Sequence, residues 1–159
     1  MRSYQFPNYK QPDGKDCGPT CIRIISKYYG KNISLQEIRK LSETTREGSS
    51  LLGLSDAAES IGFKTLGVKI NFQLLKKEVP LPCIIHWNKN HFVVVYKIDK
   101  NDNVYISDPN YGLITYNKEE FIKFWIGGNA NENTDEGIAL LFETTSIFYN
   151  EKFENRNDC

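Results

Sequence analysis

Gln11-Pro-Asp-Gly-Lys-Asp-Cys17-Gly-Pro-Thr-Cys21 is the stretch on which the reading of this chain turns. Its first half, with Pro12, Asp13 and Gly14, has the composition of a turn. The second half opens a helix at Cys17. Asp16 is a suitable N-cap, and Pro19 falls in the first turn, where a missing N–H is not felt. A thiol at that point faces unpaired backbone N–H groups and the positive helix end, both of which favour a thiolate. Gly18 is expected to leave room for another chain to approach the sulfur. Asp16 works the other way, since an adjacent carboxylate opposes a second negative charge. The commonest part played by a lone cysteine is that of a small buried hydrophobe. A reactive Cys17 therefore needs a base, a group to orient that base, and donors for an oxyanion elsewhere in the chain.

The 159 residues suit one domain with a sizeable core. Twenty basic and twenty acidic residues cancel, which argues against a nucleic-acid partner held by bulk charge. No apolar run reaches membrane-spanning length, and Met1-Arg-Ser-Tyr-Gln5 lacks a signal-peptide core, so the expectation is a soluble polypeptide. The four cysteines, Cys17, Cys21, Cys83 and Cys159, are too few and scattered for a disulfide framework. Reduced thiols in a cytosolic setting are expected.

Past Gly18, the residues Cys21, Ile24, Ile25 and Tyr28 recur at helical spacing on one face, and Gly30 stops the helix. Cys21 belongs to that buried stripe and reads as core. Ser34-Leu-Gln-Glu37 is a capping box, with Ile33 and Ile38 placed as its staple, for a helix to about Leu41. Gly48-Ser-Ser50 opens a third helix with Leu51, Leu54, Ala58 and Ile61 inward and Gly62 as its stop. Phe63–Ile70 is strand-like, and Asn71 caps a helical turn through Leu75 before the Pro80-Leu-Pro82 break.

The second half is β-rich. Leu81–Trp87 and His91–Ile98 read as strands joined by a hairpin at 88–90. Both faces of the second run are apolar, as in a central strand covered on both sides. Val104–Ser107 and Leu113–Tyr116 flank a turn at Asp108-Pro-Asn-Tyr-Gly112. Asn117 starts a helix with Phe121, Phe124 and Trp125 inward, and Ile138–Phe142 is a last strand. Helices first and an antiparallel sheet afterwards predict an α+β fold over residues 1–145. Residues 146–159 read as a polar tail or linker.

The chain has two histidines, His86 and His91. His91 opens the central strand, a rigid platform for a base. Asp108 closes the next strand, within reach of His91 if the strands are neighbours; it also fits an Asx turn before Pro109. Gln11 is placed to bring its amide beside the Cys17 N–H as an oxyanion donor. Each of these residues has an ordinary structural explanation when taken singly. Together, Gln11, Cys17, His91 and Asp108 follow the order of a papain-like peptidase. Cys17, Cys21, His86 and His91 formally suffice for zinc, but the Cys-x-x-x-Cys spacing and the buried place of Cys21 argue against it, and neither a metal nor another cofactor is expected.

The blocks Gln11-Pro-Asp-Gly-Lys-Asp-Cys17-Gly, Gly48-Ser-Ser-Leu-Leu-Gly-Leu54 with Ala57-Ala58, His91-Phe-Val-Val-Val95, Asp108-Pro109 and Glu120-Phe121 with Trp125 and Gly127 resemble the bacteriocin-processing cysteine peptidase domain of peptidase-containing ABC transporters. The resemblance covers about residues 5–145. It implies a papain-like fold and cleavage after a Gly-Gly pair that ends the leader of a secreted bacteriocin, lanthipeptide or pheromone precursor. By matching motif positions, Cys17 is the nucleophile, His91 the base and later acid, Asp108 the orienter and Gln11 the oxyanion glutamine. His86 matches no catalytic position. The implied partners are the precursor peptide and a transporter's transmembrane and ATPase domains, at the cytoplasmic face of the membrane.

Two other functions use the same residues. A non-catalytic leader-binding module would recruit export substrates, although the presence of Cys17 speaks for cleavage. An acyl or amide transferase would pass the same acyl group to an amine. The chain's own Gly127-Gly128 pair is expected to be structural, held in the fold by Trp125.

Overall fold

The computed structural model describes residues 5–42, 50–87, 91–127 and 135–150. After a 3-10 turn at Gly14–Asp16 come α1 (Cys17–Tyr28), α2 (Leu35–Ser42) and α3 (Leu51–Ile61). Local signals fix their ends. The Ser34 hydroxyl accepts from the Glu37 N–H at 3.1 Å, and Ser50 caps α3 by accepting from the Gly53 N–H. Gly62, at φ 117°, takes the left-handed conformation that ends α3. It is also a contact point, because a Cβ there would lie 2.3 Å from the Phe148 backbone nitrogen.

Then follow β1 (Phe63–Ile70), α4 (Phe72–Glu78), β2 (Cys83–Trp87), β3 (His91–Ile98), β4 (Val104–Asp108), β5 (Gly112–Tyr116), α5 (Lys118–Ile126), β6 (Gly137–Thr144) and α6 (Ser146–Asn150). Asn71 caps α4, which runs three residues beyond the expected Leu75. Asn117 and Glu120 form a full capping box at α5. The strands make one antiparallel sheet in the order β1-β6-β2-β3-β4-β5. The α+β expectation holds, and β3 is central as predicted. The last strand is not at an edge: β6 lies between β1 and β2 and joins the two halves of the sheet.

One face of the sheet packs on α1, α2 and α3 through Ile84, Phe92, Val94, Leu140 and Phe142. The other packs on α4 and α5 through Cys83, Ile85, Val93, Val95 and Ala139. Alternation along β3 therefore serves two cores at once. Helix α1 lies between β3 and the α2–α3 pair, so its buried surface is wider than one amphipathic stripe and includes Ile22. Tyr28, expected inward, is 41% exposed and rests against Phe6.

The expected end of the folded unit at residue 145 moves outward. Phe148 of α6 is fully buried against Tyr29 and Phe63, and its carbonyl accepts a hydrogen bond from the Lys31 ammonium. A segment that looks polar by composition is held by one aromatic anchor; residues 151–159 lie outside the described set. Of Gly127-Gly128, Gly128 lies outside it as well. Gly127 closes α5, next to Trp125, whose indole N–H donates to the Ile138 carbonyl and whose ring a Cβ at Gly137 would strike at 2.3 Å. No helix among the described residues is long and apolar enough to cross a membrane.

Candidate active site

Cys17 is the first residue of α1 and is 5% exposed. The turn before it is shaped by Asp13, whose carboxylate accepts from the Lys15 N–H. Asp16 occupies the N-cap position but makes no capping bond, contrary to expectation. Its buried carboxylate instead receives a two-pronged clasp from Arg39 of α2, with Nε 2.8 Å from Oδ1 and Nη2 2.5 Å from Oδ2. A guanidinium fork outcompetes a single backbone N–H for a buried carboxylate. Gly18 differs from expectation too. It is buried, and a Cβ there would meet the Leu54 side chain at 2.7 Å, so its smallness lets α3 pack against α1.

His91 and Asp108 stand at the ends of neighbouring strands, and the His91 Nε2 lies 2.9 Å from the Asp108 Oδ1. His91 also shares a hydrogen bond with Cys17. Burial pulls the imidazole pKa down, but the hydrogen bonds to Asp108 and Cys17, with their charges, win and bring it to about 9.

Asp108 is 2% exposed and does two things with one oxygen. Its Oδ1 also accepts from the Asn110 N–H at 2.8 Å, while its backbone carbonyl accepts from the Tyr111 N–H. The Asx turn and the histidine contact, alternatives at the level of sequence, coexist. Gln11 is hooked to the same turn, its N–H donating to the Pro109 carbonyl at 2.9 Å. Its side-chain Nε2 donates to the Asp13 carbonyl, and its Oε1 is buried with no hydrogen-bond partner in the structure. Bonding to a carbonyl oxygen identifies the NH2 end of that amide. Gln11, Cys17, His91 and Asp108 thus belong to one connected region formed by the segment before α1, the start of β3 and the β4–β5 turn.

The remaining candidates lie apart from this chain of contacts. Cys21 is fully buried, and its thiol donates to the Phe92 carbonyl at 3.3 Å. Burial above all, then the nearby Cys17 and Asp108, push the Cys21 thiol well up, as befits an inert core thiol. Cys83 is pushed up to about 12 by burial. His86 stacks on Phe92, and burial lowers its pKa. Among the described residues no three His, Cys, Asp or Glu side chains gather as a metal site would require. The residue that sequence reasoning missed is Arg39, 23 positions beyond Asp16 on another helix, where no local pattern marks it.

A model of the Peptidase C39 family matches residues 5–130. The chain is 40% identical over 122 residues to the lactococcin-G-processing and transport ATP-binding protein LagD of Lactococcus lactis, covering 74% of this chain and 17% of that protein. It is 31% identical over 152 residues to the colicin V secretion/processing ATP-binding protein CvaB of Escherichia coli, covering 96% and 20%. The chain therefore spans about a fifth of the length of these curated relatives. Among solved structures it resembles a double glycine motif protease from an AMS/PCAT transporter in complex with the leader peptide, with a TM-score of 0.78, 33% identity and coverage of 89% of this chain and 93% of that one. The peptidase domain of Streptococcus ComA, a bi-functional ABC transporter, superposes with a TM-score of 0.77 at 29% identity, covering 89% and 100%. The fold is that of these papain-like peptidase domains, and the chain belongs to the Peptidase C39 family.

Proposed function

We propose that this domain is a cysteine endopeptidase that cuts after a Gly-Gly pair, releasing the leader of a precursor peptide destined for export. The observation that carries the reading is His91, which is hydrogen-bonded to both Asp108 and Cys17. In this reading the Cys17 thiolate attacks the carbonyl of the second glycine, forming a C–S bond and an oxyanion. The Cys17 N–H and the Gln11 amide are the donors for that oxygen. Collapse of the oxyanion breaks the peptide C–N bond, and the His91 imidazolium gives its proton to the departing amine. The neutral ring then takes a proton from water, which attacks the thioester, frees the leader's carboxylate and returns the thiolate. Asp108 holds the ring in orientation through both steps.

The preference for glycine follows from access. With Cys17 almost covered, a substrate backbone reaches the sulfur most easily where no Cβ widens it. A leader held away from the cut by an amphipathic helix in an apolar groove is a recognition mode that suits this class. The partners proposed are a precursor of bacteriocin, lanthipeptide or pheromone type and the transmembrane and ATPase parts of an exporter, at the cytoplasmic face of the membrane.

The test is a synthetic precursor with a Gly-Gly leader, followed by mass spectrometry. Wild-type protein should yield two products split after the second glycine. Cys17→Ala should yield none, yet still bind the leader. Turnover in that variant would remove Cys17 from the mechanism.

A further inference from the structure

Asp16 has no exposed surface, sits next to Cys17 and gives nothing to the helix it precedes. A buried carboxylate must be neutralised or paired. Here both oxygens are held by Arg39. Left loose, that carboxylate would have three harmful options. It would oppose negative charge on the sulfur, offer the His91 imidazolium a rival to Asp108, or cap the first-turn N–H groups of α1. A bidentate clasp from a planar guanidinium closes all three, because it engages both oxygens in one fixed direction.

We infer that Arg39 is a positioning residue that acts through Asp16, clamping the carboxylate away from Cys17 and from the N–H groups that open α1. This rests on Cys17 being the nucleophile, as proposed above. Near the sulfur, His91 from β3 is hydrogen-bonded to Cys17 and Asp108, Cys21 lies one turn along α1 and feels Cys17 and Asp108, and Asp16 adjoins Cys17 in the chain. Arg39 faces Asp16 and, less closely, Asp13. A plain α1–α2 ion pair would affect folding whichever partner is lost. A clamp is asymmetric: losing Arg39 releases a harmful charge, whereas losing the Asp16 charge as well removes the harm.

The experiment compares Arg39→Gln, Arg39→Lys and the double variant Asp16→Asn/Arg39→Gln, with rates normalised to the folded fraction from urea unfolding. Arg39→Gln should lower kcat on a Gly-Gly leader peptide by on the order of tenfold to a hundredfold at unchanged KM, the size of loss expected from misplaced reacting groups. The pH midpoint for iodoacetamide alkylation of Cys17 should rise in step. Arg39→Lys, which keeps the charge but loses the fork, should fall between. The double variant should recover most of the turnover and bring the alkylation midpoint back toward wild type. Wild-type kcat and midpoint in Arg39→Gln, or a double variant as slow as the single, would overturn the clamp. Should Arg39→Gln not fold, the comparison of Arg39→Lys with the double variant decides on the same criteria. An inactive wild-type protein would instead sink the peptidase reading itself, so the two failures are distinct.

Discussion

Two faces of one sheet have been put to different uses. Against α1, α2 and α3, aliphatic and aromatic side chains (Ile22, Ile24, Ile25, Ile84, Phe63, Phe142) pack with buried polar groups set among them: the Asp16 carboxylate, Gln11, Thr20, Ser26 and the clamped Lys31. Against α4 and α5 the packing is likewise aliphatic and aromatic, with its rings gathered around Trp87 and Phe121. Trp87 lies 5.4 Å from Phe121 and 5.3 Å from Phe124, and Phe121 touches Phe72 and Trp125. Among the described residues, no buried polar or charged side chain is found on α4, α5 or β2. The contrast teaches a division of labour across β3. The α1 face carries Cys17 and the buried polar groups, the dry α4–α5 face holds β2 and β3 in register, and His91 and Asp108 stand at strand ends, in step with Val93 and Ile106.

Three measurements would break or sharpen this contrast. The largest effect is expected at Asp108. Asn in its place still accepts from the Asn110 N–H and keeps the turn, but loses the charge that orients His91, so turnover should fall by about 10⁴-fold with little change in Tm. Near wild-type turnover would reduce Asp108 to a turn former. Next comes Phe121→Ala on the dry face. The residue is fully buried among three aromatic rings, and its loss should destabilise the domain by about 3–5 kcal/mol while turnover per folded molecule stays unchanged. A matching drop in normalised kcat would mean that the faces are not separable.

The smallest effect concerns pH. The His91 pKa is raised on folding to about 9, so its contribution is fully present below the unfolded value near 6.5 and is lost as pH climbs through 9. Unfolding free energies from urea titrations between pH 6 and 9.5 should therefore decline, by at most about 3 kcal/mol from this group. The decline should be shallower in Asp108→Asn. Parallel curves for the two proteins would show that His91 gains no proton affinity from Asp108.

Most helix ends were legible because their causes are local: Ser50, Asn71 and Asn117 bond donors three residues on, and Gly62 needs its positive φ. His91 and Asp108 were legible because strand ends meet when strands are neighbours. Asp16 was misread for the opposite reason. Capping is a rule about the next few residues, and a cation arriving from another helix overrode it. Gly18 was misread similarly, since its vacancy is filled by Leu54 and not by an incoming peptide. Composition hid α6 because a single ring, Phe148, carries its burial. Nor does any local pattern say that β6 inserts between β1 and β2; only the assembled sheet decides that.

That insertion bears on how the protein is born. Gln11, Cys17, His91 and Asp108 have all been synthesised before residues 137–144 are made, yet the sheet cannot close until that strand slots into its middle. Pairings between strands so far apart in the chain form slowly, and an unfilled slot between β1 and β2 leaves strand edges bare in the meantime. The newborn polypeptide therefore holds every reacting group for some time before it has a working enzyme.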